Sequence, residues 1–592
     1  MLYPQSNLFR QQIDLSGFWK LRFDPDNEGY EAGWSNGFEN GRPVAVPASW
    51  NEQFEDGRDY LSYTWYQTTF DLPWGWNRLD QRLRVHFESV NYLAEVWLNG
   101  TRLGRHEGGH LPFEFEINEQ VLSEGNRLVV RVDGNLAPER VPPGNRHDDP
   151  FWGMTGHPAS TFDFFPFCGI HRPVLVYITP NDGVSDLTVI TEIAGSDGVV
   201  QVRVARTGSD PVDVRTALRG TDVTTEMRIT DKWADVTLNV PDAQLWSPTS
   251  PHLYDLVVEL RRDGSTFDQY ALPIGIRTIA VQGDQLLLNG EPIYLRGFGR
   301  HEDFPIAGRG LVPPVIIKDY GLMQWIGANS FRTSHYPYSE AMMRLADQLG
   351  VLIIDETPAV GLYFDDSAAD TLPQRLELCR QYVRELVSRD KNHPSVIMWS
   401  LANEPHSQPA AAKSFFRDLF DLARSMDSSR PITLASHVGV LEEAFEFLDV
   451  MCLNRYLGWY SQPGQLDLAL PLLSQELDAL YERYKKPLIM TEFGADAMAG
   501  HHAQPPEMFS EEYQAEFVTR YIQLFRTKPY IVGEHIWNLC DFKTGQSVRR
   551  PNSLNMKGVF TRDRRPKLAA HQLRALWTPP HRDDNSKGDS NR

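Results

Sequence analysis

Cysteine is scarce in this chain of 592 residues: Cys168, Cys379, Cys452 and Cys540 are the only four, and none stands in a C-x-x-C pair. That spacing excludes a disulfide-stapled scaffold. With no pair of histidines at ligand spacing, it also predicts no bound metal. Three of the four lie in apolar runs, where a buried free thiol is the expected state, so a reduced, cytoplasmic protein is expected. Long hydrophobic runs are missing as well. No stretch approaches the ~18 apolar residues that a membrane helix needs. The opening MLYPQSNLFRQQIDLSG has no basic segment followed by an apolar one, so no signal peptide is expected. Positive charge is in deficit: 58 Lys and Arg face 78 Asp and Glu, a formal net charge of -20. Nucleic acid and anionic membrane surfaces are thereby excluded as main partners, because both need a basic face. A small anionic ligand is not excluded, since one fixed cation outweighs the global field at short range.

What is present falls into three stretches. Residues 1–180 read as an all-β sandwich. Residues 82–88 (RLRVHFE) alternate apolar and polar as a half-buried strand does, and AEVWLNGTRL turns at Asn99-Gly100, a hairpin signal. Residues 128–134 and 169–180 add further strands. Residues 181–279 read as a small immunoglobulin-type sandwich of closely spaced strands. From 280 to 580 eight short apolar runs alternate with helical patterns. In PQRLELCRQYVRELV, for example, Leu376, Cys379, Val383, Leu386 and Val387 share one helix face. Eight such alternations predict a TIM barrel, with a doubly wound sheet as the alternative. The polar tail, 581–592, is expected to be disordered.

A barrel of this kind carries its active site at the C-terminal ends of its strands. The fourth run ends in Asn403-Glu404-Pro405 and the seventh in Thr491-Glu492-Phe493-Gly494. The first leads into Arg300-His301-Glu302-Asp303 and the second into Arg332-Thr333-Ser334-His335-Tyr336. The third and eighth supply Asp355, Glu356, Trp537, Asn538 and Asp541. One glutamate after a strand is an ordinary loop carboxylate. Two that end different strands of one barrel form the pair that glycoside hydrolysis requires, a proton donor and a nucleophile.

The same segments resemble a known family. KNHPSVIMWSLANEP (391–405) is similar to the acid/base signature of glycoside hydrolase family 2, and TEFGAD (491–496) to its nucleophile segment. LWSPTSPHLYDLVVEL (245–260) and LLLNGEPIYLRGFGRHED (286–303) resemble its sandwich end and barrel start. The resemblance runs from about residue 15 to 577. It implies a jelly-roll-like sandwich, an immunoglobulin-like sandwich and a (β/α)8 barrel, in that order. It further implies a retaining β-glycosidase with Glu404 as acid/base, Glu492 as nucleophile, no cofactor, and a homo-oligomer.

Asn555-Met556-Lys557, followed by GVFTRDRRPK, resembles the Asn-x-Lys motif of those members that cleave β-glucuronides. Residues two apart in an extended segment point the same way, so Asn555 and Lys557 are expected to grip one sugar carboxylate. A fixed cation there offsets repulsion from the surrounding acids. By the same resemblance Asp163, within TFDFFPFCGIHR, is expected to reach sugar hydroxyls and Asn403 the 2-hydroxyl. His301, His335, Tyr456, Tyr460 and Trp537 match pocket positions. The sequence departs from the pattern in one place: the arginine usual four residues before the motif asparagine is Pro551 here. Arg549 and Arg550 stand just before it, and Arg550 is the candidate for the carboxylate. Residues 361–372 are short where relatives carry a long loop, which predicts an open mouth for bulkier aglycones.

The expected substrate is thus a small-molecule or oligosaccharide β-D-glucuronide, cleaved by double displacement. β-Galacturonide, β-galactoside and β-mannoside specificities are the alternatives within the family. A non-catalytic carbohydrate-binding or scaffold protein is the alternative outside it.

Overall fold

The computed structural model describes residues 1–76, 79–144, 157–158, 160–365 and 368–578, so the tail 581–592 lies outside the described residues. Local chemistry sets the first elements. Asn99 and Gly100 have φ of 52° and 82°. They join Leu93–Leu98 to Thr101–Glu107, with Leu98 opposite Thr101. Positive φ at both central residues gives the tight turn whose twist matches the flanking strands. The alternating segment forms Gln81–Phe87, with Leu83, Val85 and Phe87 turned into the core. The run 169–180 is broken into Gly169–Ile170 and Val174–Pro180. Pro173 offers no N–H to a ladder. Arg172 beside it donates to His110 O (2.8 Å) within the sandwich and to Glu302 (3.1 Å) and Pro337 O (2.7 Å) of the barrel segment.

The first sandwich packs a four-stranded sheet on a six-stranded one around Trp19, Trp50, Tyr66 and Val130. The second packs three strands on four. Its strand Trp233–Val240 alternates exposed and buried at every residue, as a sheet with one wet face must. A three-stranded meander follows, and Ile279, Leu286 and Leu288 from it plug the bottom of the barrel against Leu295, Leu352 and Ile354.

The barrel itself closes from β1 (Leu295–Gly299), β2 (Ser330–Arg332), β3 (Leu352–Glu356), β4 (Val396–Asn403), β5 (Ile432–Ser436), β6 (Met451–Asn454), β7 (Leu488–Glu492) and β8 (Ile531–Ile536). Every neighbouring pair runs parallel. The helix read from PQRLELCRQYVRELV spans Leu372–Asp390 and buries Cys379, Val383, Leu386 and Val387. One connection departs from the expected alternation: β5 reaches β6 through two 3-10 turns, Gly439–Leu441 and Glu443–Glu446. All four cysteines are buried and free. No helix among the described residues is long and apolar enough to cross a membrane.

Candidate active site

A cavity of about 660 Å³ opens at the C-terminal ends of the strands, within the range usual for small-molecule sites. Its walls include His335, Asn403, Glu404, Tyr456, Tyr460, Glu492, Trp537, Arg550, Asn555 and Asp163. Lys557 and His301, the remaining sequence candidates, sit behind that wall.

At the catalytic end the central piece is Arg332, the last residue of β2, with a fully buried side chain. Its Nη1 donates to both oxygens of Glu356 at 2.7 and 2.9 Å, while Nη2 donates to Glu492 Oε1. Glu492 Oε2 accepts the Tyr456 hydroxyl at 2.6 Å. Burial pushes the Glu492 carboxyl up to about 8; Arg332 pulls against this, and the charge of Glu404 adds to the rise. Behind it, Glu356 also accepts Ser400 Oγ (2.8 Å) and bonds His335 Nδ1 (2.9 Å). Although burial opposes it, Arg332 and His335 hold the Glu356 carboxyl below the usual carboxylate range. Glu356 is therefore a fixed counter-ion that aims Arg332. Trp537 stacks on His335 with ring centroids 4.8 Å apart and so fixes the imidazole plane.

Glu404 follows β4 with φ of 46°, and its Oε1 accepts Asn454 Nδ2 at 2.9 Å. Asn454 ends β6 and is locked by accepting Thr491 Oγ1 at 2.8 Å. The Asn403 carbonyl oxygen takes donors from Arg332 (3.3 Å) and Asn454 (3.1 Å). Two donors on that side-chain oxygen fix the amide's orientation.

The opposite end is built from loops. Asp163 accepts Arg550 Nε at 2.9 Å, Arg550 Nη2, and Asn555 Nδ2 at 2.9 Å. The Tyr460 hydroxyl takes Arg550 Nη2 and Lys557 Nζ, each at 2.9 Å. The Lys557 side chain is 0% exposed and also donates to Asp496. Although burial opposes it, Lys557 and then Arg550 hold the Asp496 carboxyl low. Asn555 and Lys557 thus share one end of the cavity but not one surface. His301 bonds the Tyr336 hydroxyl at 3.1 Å and packs on Phe542, with centroids 4.2 Å apart. Burial pushes its imidazole well below the usual range, and its place is that of a packing residue supporting Trp537.

Outside the cavity, one group of possible metal ligands is found among the described residues: Glu340, Asp390 and His393. Its donors are taken. His393 Nδ1 bonds Asp347 at 2.6 Å, Arg344 bonds Glu340, and Arg389 bonds Asp390. Burial opposes it, yet Asp347 and Glu340 push the His393 imidazole well above its ordinary range. Such a charge-balanced group does not fit a metal.

Sequence reasoning gave no role to Arg332, Glu356 or Asn454. The signal was there: each is a polar or charged residue closing an apolar barrel strand.

Three sequence models of glycosyl hydrolases family 2 match the chain: its sugar binding domain over residues 13–180, a model described by the family name alone over 181–277, and its TIM barrel domain over 279–581. A beta-glucuronidase of Paenibacillus borealis is 41% identical, with 98% of each chain covered. One of Rattus norvegicus is 39% identical, with 98% of this chain and 92% of that one covered. Among solved structures, the Ruminococcus gnavus b-glucuronidase in complex with D-glucaro 1,5-lactone superposes with a TM-score of 0.91 at 38% identity, covering 97% of this chain and 99% of that one. The order of domains, the paired glutamates at two strand ends and this span of similarity lead to one conclusion: the chain belongs to glycoside hydrolase family 2.

Proposed function

We propose that this chain hydrolyses β-D-glucuronides with retention of configuration, releasing glucuronic acid and the free aglycone. Glu404 gives its proton to the glycosidic oxygen as Glu492 attacks the anomeric carbon, forming a glycosyl ester and freeing the aglycone alcohol. Water then attacks the ester, Glu404 takes its proton, and Glu492 leaves as a carboxylate. Arg332 and the Tyr456 hydroxyl offset the charge of Glu492 before attack and after release. Asn403 turns its amide to the 2-hydroxyl. Arg550, Asn555 and Lys557 receive the sugar carboxylate, Asp163 serves the sugar hydroxyls, and Tyr460 lines the pocket beside them.

One observation carries this reading. The same cavity holds a glutamate pair at one end and the Arg550 guanidinium and Asn555 amide at the other, with the Lys557 ammonium group behind them. A neutral sugar brings no carboxylate to those donors. The names of the relatives support the same substrate. The four buried thiols favour a reducing compartment, and the family resemblance favours a homo-oligomer. Residues 1–180 and 181–279 act as the two sandwiches that flank a catalytic unit of 280–580. Bulky aglycones are admitted past Gly361, and activity confined to small aryl glucuronides would overturn that point.

The deciding test is hydrolysis of four matched p-nitrophenyl β-glycosides, the glucuronide, galacturonide, galactoside and mannoside. Selective cleavage of the glucuronide, abolished in Glu404→Ala and Glu492→Ala, is the expected result. Preference for a neutral sugar, unchanged by Lys557→Ala, would leave the family standing and remove the uronic acid. Binding without turnover of any of the four would indicate a scaffold protein.

A further inference from the structure

Every donor proposed for the sugar carboxylate already has an internal acceptor. Arg550 and Asn555 are both spent on Asp163, and Lys557 is spent on Asp496 and Tyr460. We infer that Asp163 is a built-in competitor for the sugar's carboxylate, holding Arg550 and Asn555 until a uronide displaces it. The inference rests on the glucuronide reading above.

Charge decides that something must move. Arg550 and Lys557 bring two positive charges, and Asp163 and Asp496 bring two negative ones. The cluster is balanced. A uronide added to it with Asp163 in place leaves the cluster itself one anion in excess, in a cavity lined also by Glu404, Glu492 and Arg549.

Burial decides which acid moves. Asp496 is 1% exposed, accepts the Met556 N–H at 2.8 Å and is the ion-pair partner of fully buried Lys557. Its departure would strand a buried ammonium group, which is costly. The Asp163 side chain is 48% exposed, so its carboxylate returns to water at small cost. The two hydrogen-bond fates are chemically alike: a carboxylate on Arg550 and Asn555 is replaced by another carboxylate on the same two residues. Released, Asp163 is free to meet a sugar hydroxyl. When hydrolysis has finished, it reclaims Arg550 and so favours release of the uronic acid product.

The test compares two iminosugars that differ only at C6: uronic deoxynojirimycin, with a carboxylate, and deoxynojirimycin, with a hydroxymethyl group. Their Kd values are measured by calorimetry, which needs no turnover. Any lost contact between Asp163 and a ring hydroxyl weakens both ligands and cancels in their ratio. An exposed ion pair limits the competition to about fivefold. The preference for the uronic ligand is therefore expected to rise up to about fivefold in Asp163→Asn and in Asp163→Ser, each checked for an unchanged thermal midpoint. An unchanged or smaller preference in both variants overturns the competitor role. A wild-type protein with no preference for the uronic ligand overturns instead the glucuronide reading beneath it.

Discussion

The two ends of the cavity are built on different principles. The catalytic end comes from the last residues of β2, β3, β6 and β7 and the residue that follows β4, all within one barrel. Its central ion pair has no solvent access: the Arg332 and Glu356 side chains are 0% exposed. The sugar-carboxylate end is gathered from residues near 163, 460 and 550–557, which lie on loops of two domains. Its ion pair between Asp163 and Arg550 faces solvent. Strand ends hold a charge to within fractions of an ångström, as bond making requires. Loops can exchange partners, as recognition and release require.

If the catalytic end is as rigid as its burial implies, damage there is large. Glu492→Gln is expected to lower kcat/KM on p-nitrophenyl β-glucuronide by roughly 10⁴-fold or more, read from initial rates. The same variant has an opposite effect on stability. Burial holds the folded-state carboxyl at about 8, above its unfolded value of 4.5. The folded protein therefore binds that proton more tightly, and ionisation costs stability progressively from about pH 4.5 to 8. Glu492→Gln should melt above wild type at pH 8, and the gap should close toward pH 4.5. A gap that widens at low pH would contradict the burial argument.

Arg332→Met comes next. It leaves Glu356 and Glu492 buried with one cation removed from between them. A loss of about 3–5 kcal/mol in denaturant unfolding is expected, with kcat down roughly 10²–10³-fold. Near-normal stability would mean that the two carboxylates are not both ionised.

Tyr456→Phe removes one donor from Glu492 while keeping the ring. Hydrogen bonds to charged groups contribute about 1.5–3 kcal/mol, so kcat should fall about 10- to 100-fold. The lost bond favoured the ionised carboxylate, so its pKa rises further and the acid limb of the pH–rate profile moves to higher pH.

The smallest effect belongs to the loop end. Arg550→Gln is expected to raise KM for the glucuronide about five- to tenfold with kcat nearly unchanged, since it removes one partly exposed charge pair. A fall in kcat as deep as that of Arg332→Met would erase the contrast between the two ends.

Much of the catalytic end was legible in the sequence. Glu404 and Glu492 follow apolar runs, and alternation of those runs with helical patterns places them at one barrel mouth. Arg332, Glu356 and Asn454 stood at equivalent strand ends without a role. Their value lies in whom they touch, and β2, β3 and β6 are far apart in sequence. The link from β5 to β6 was read as another helix, because its apolar residues suit either a helix or a pair of turns.

At the loop end, spacing alone misjudged depth. Asn555 and Lys557 do lie two apart, but Lys557 reaches under Tyr460 to Asp496 while Asn555 turns to Asp163. His301 was placed in the pocket and packs behind it.

The sequence by itself determined the order of two sandwiches and a barrel, because periodicity, turn chemistry and strand-end residues are local properties. It also set Glu404 and Glu492 at the ends of two apolar runs. Only the tertiary structure decided that Arg332 stands between Glu356 and Glu492, and that Asp163 sits on Arg550. Those are distances between residues up to 387 positions apart, and no local pattern encodes them.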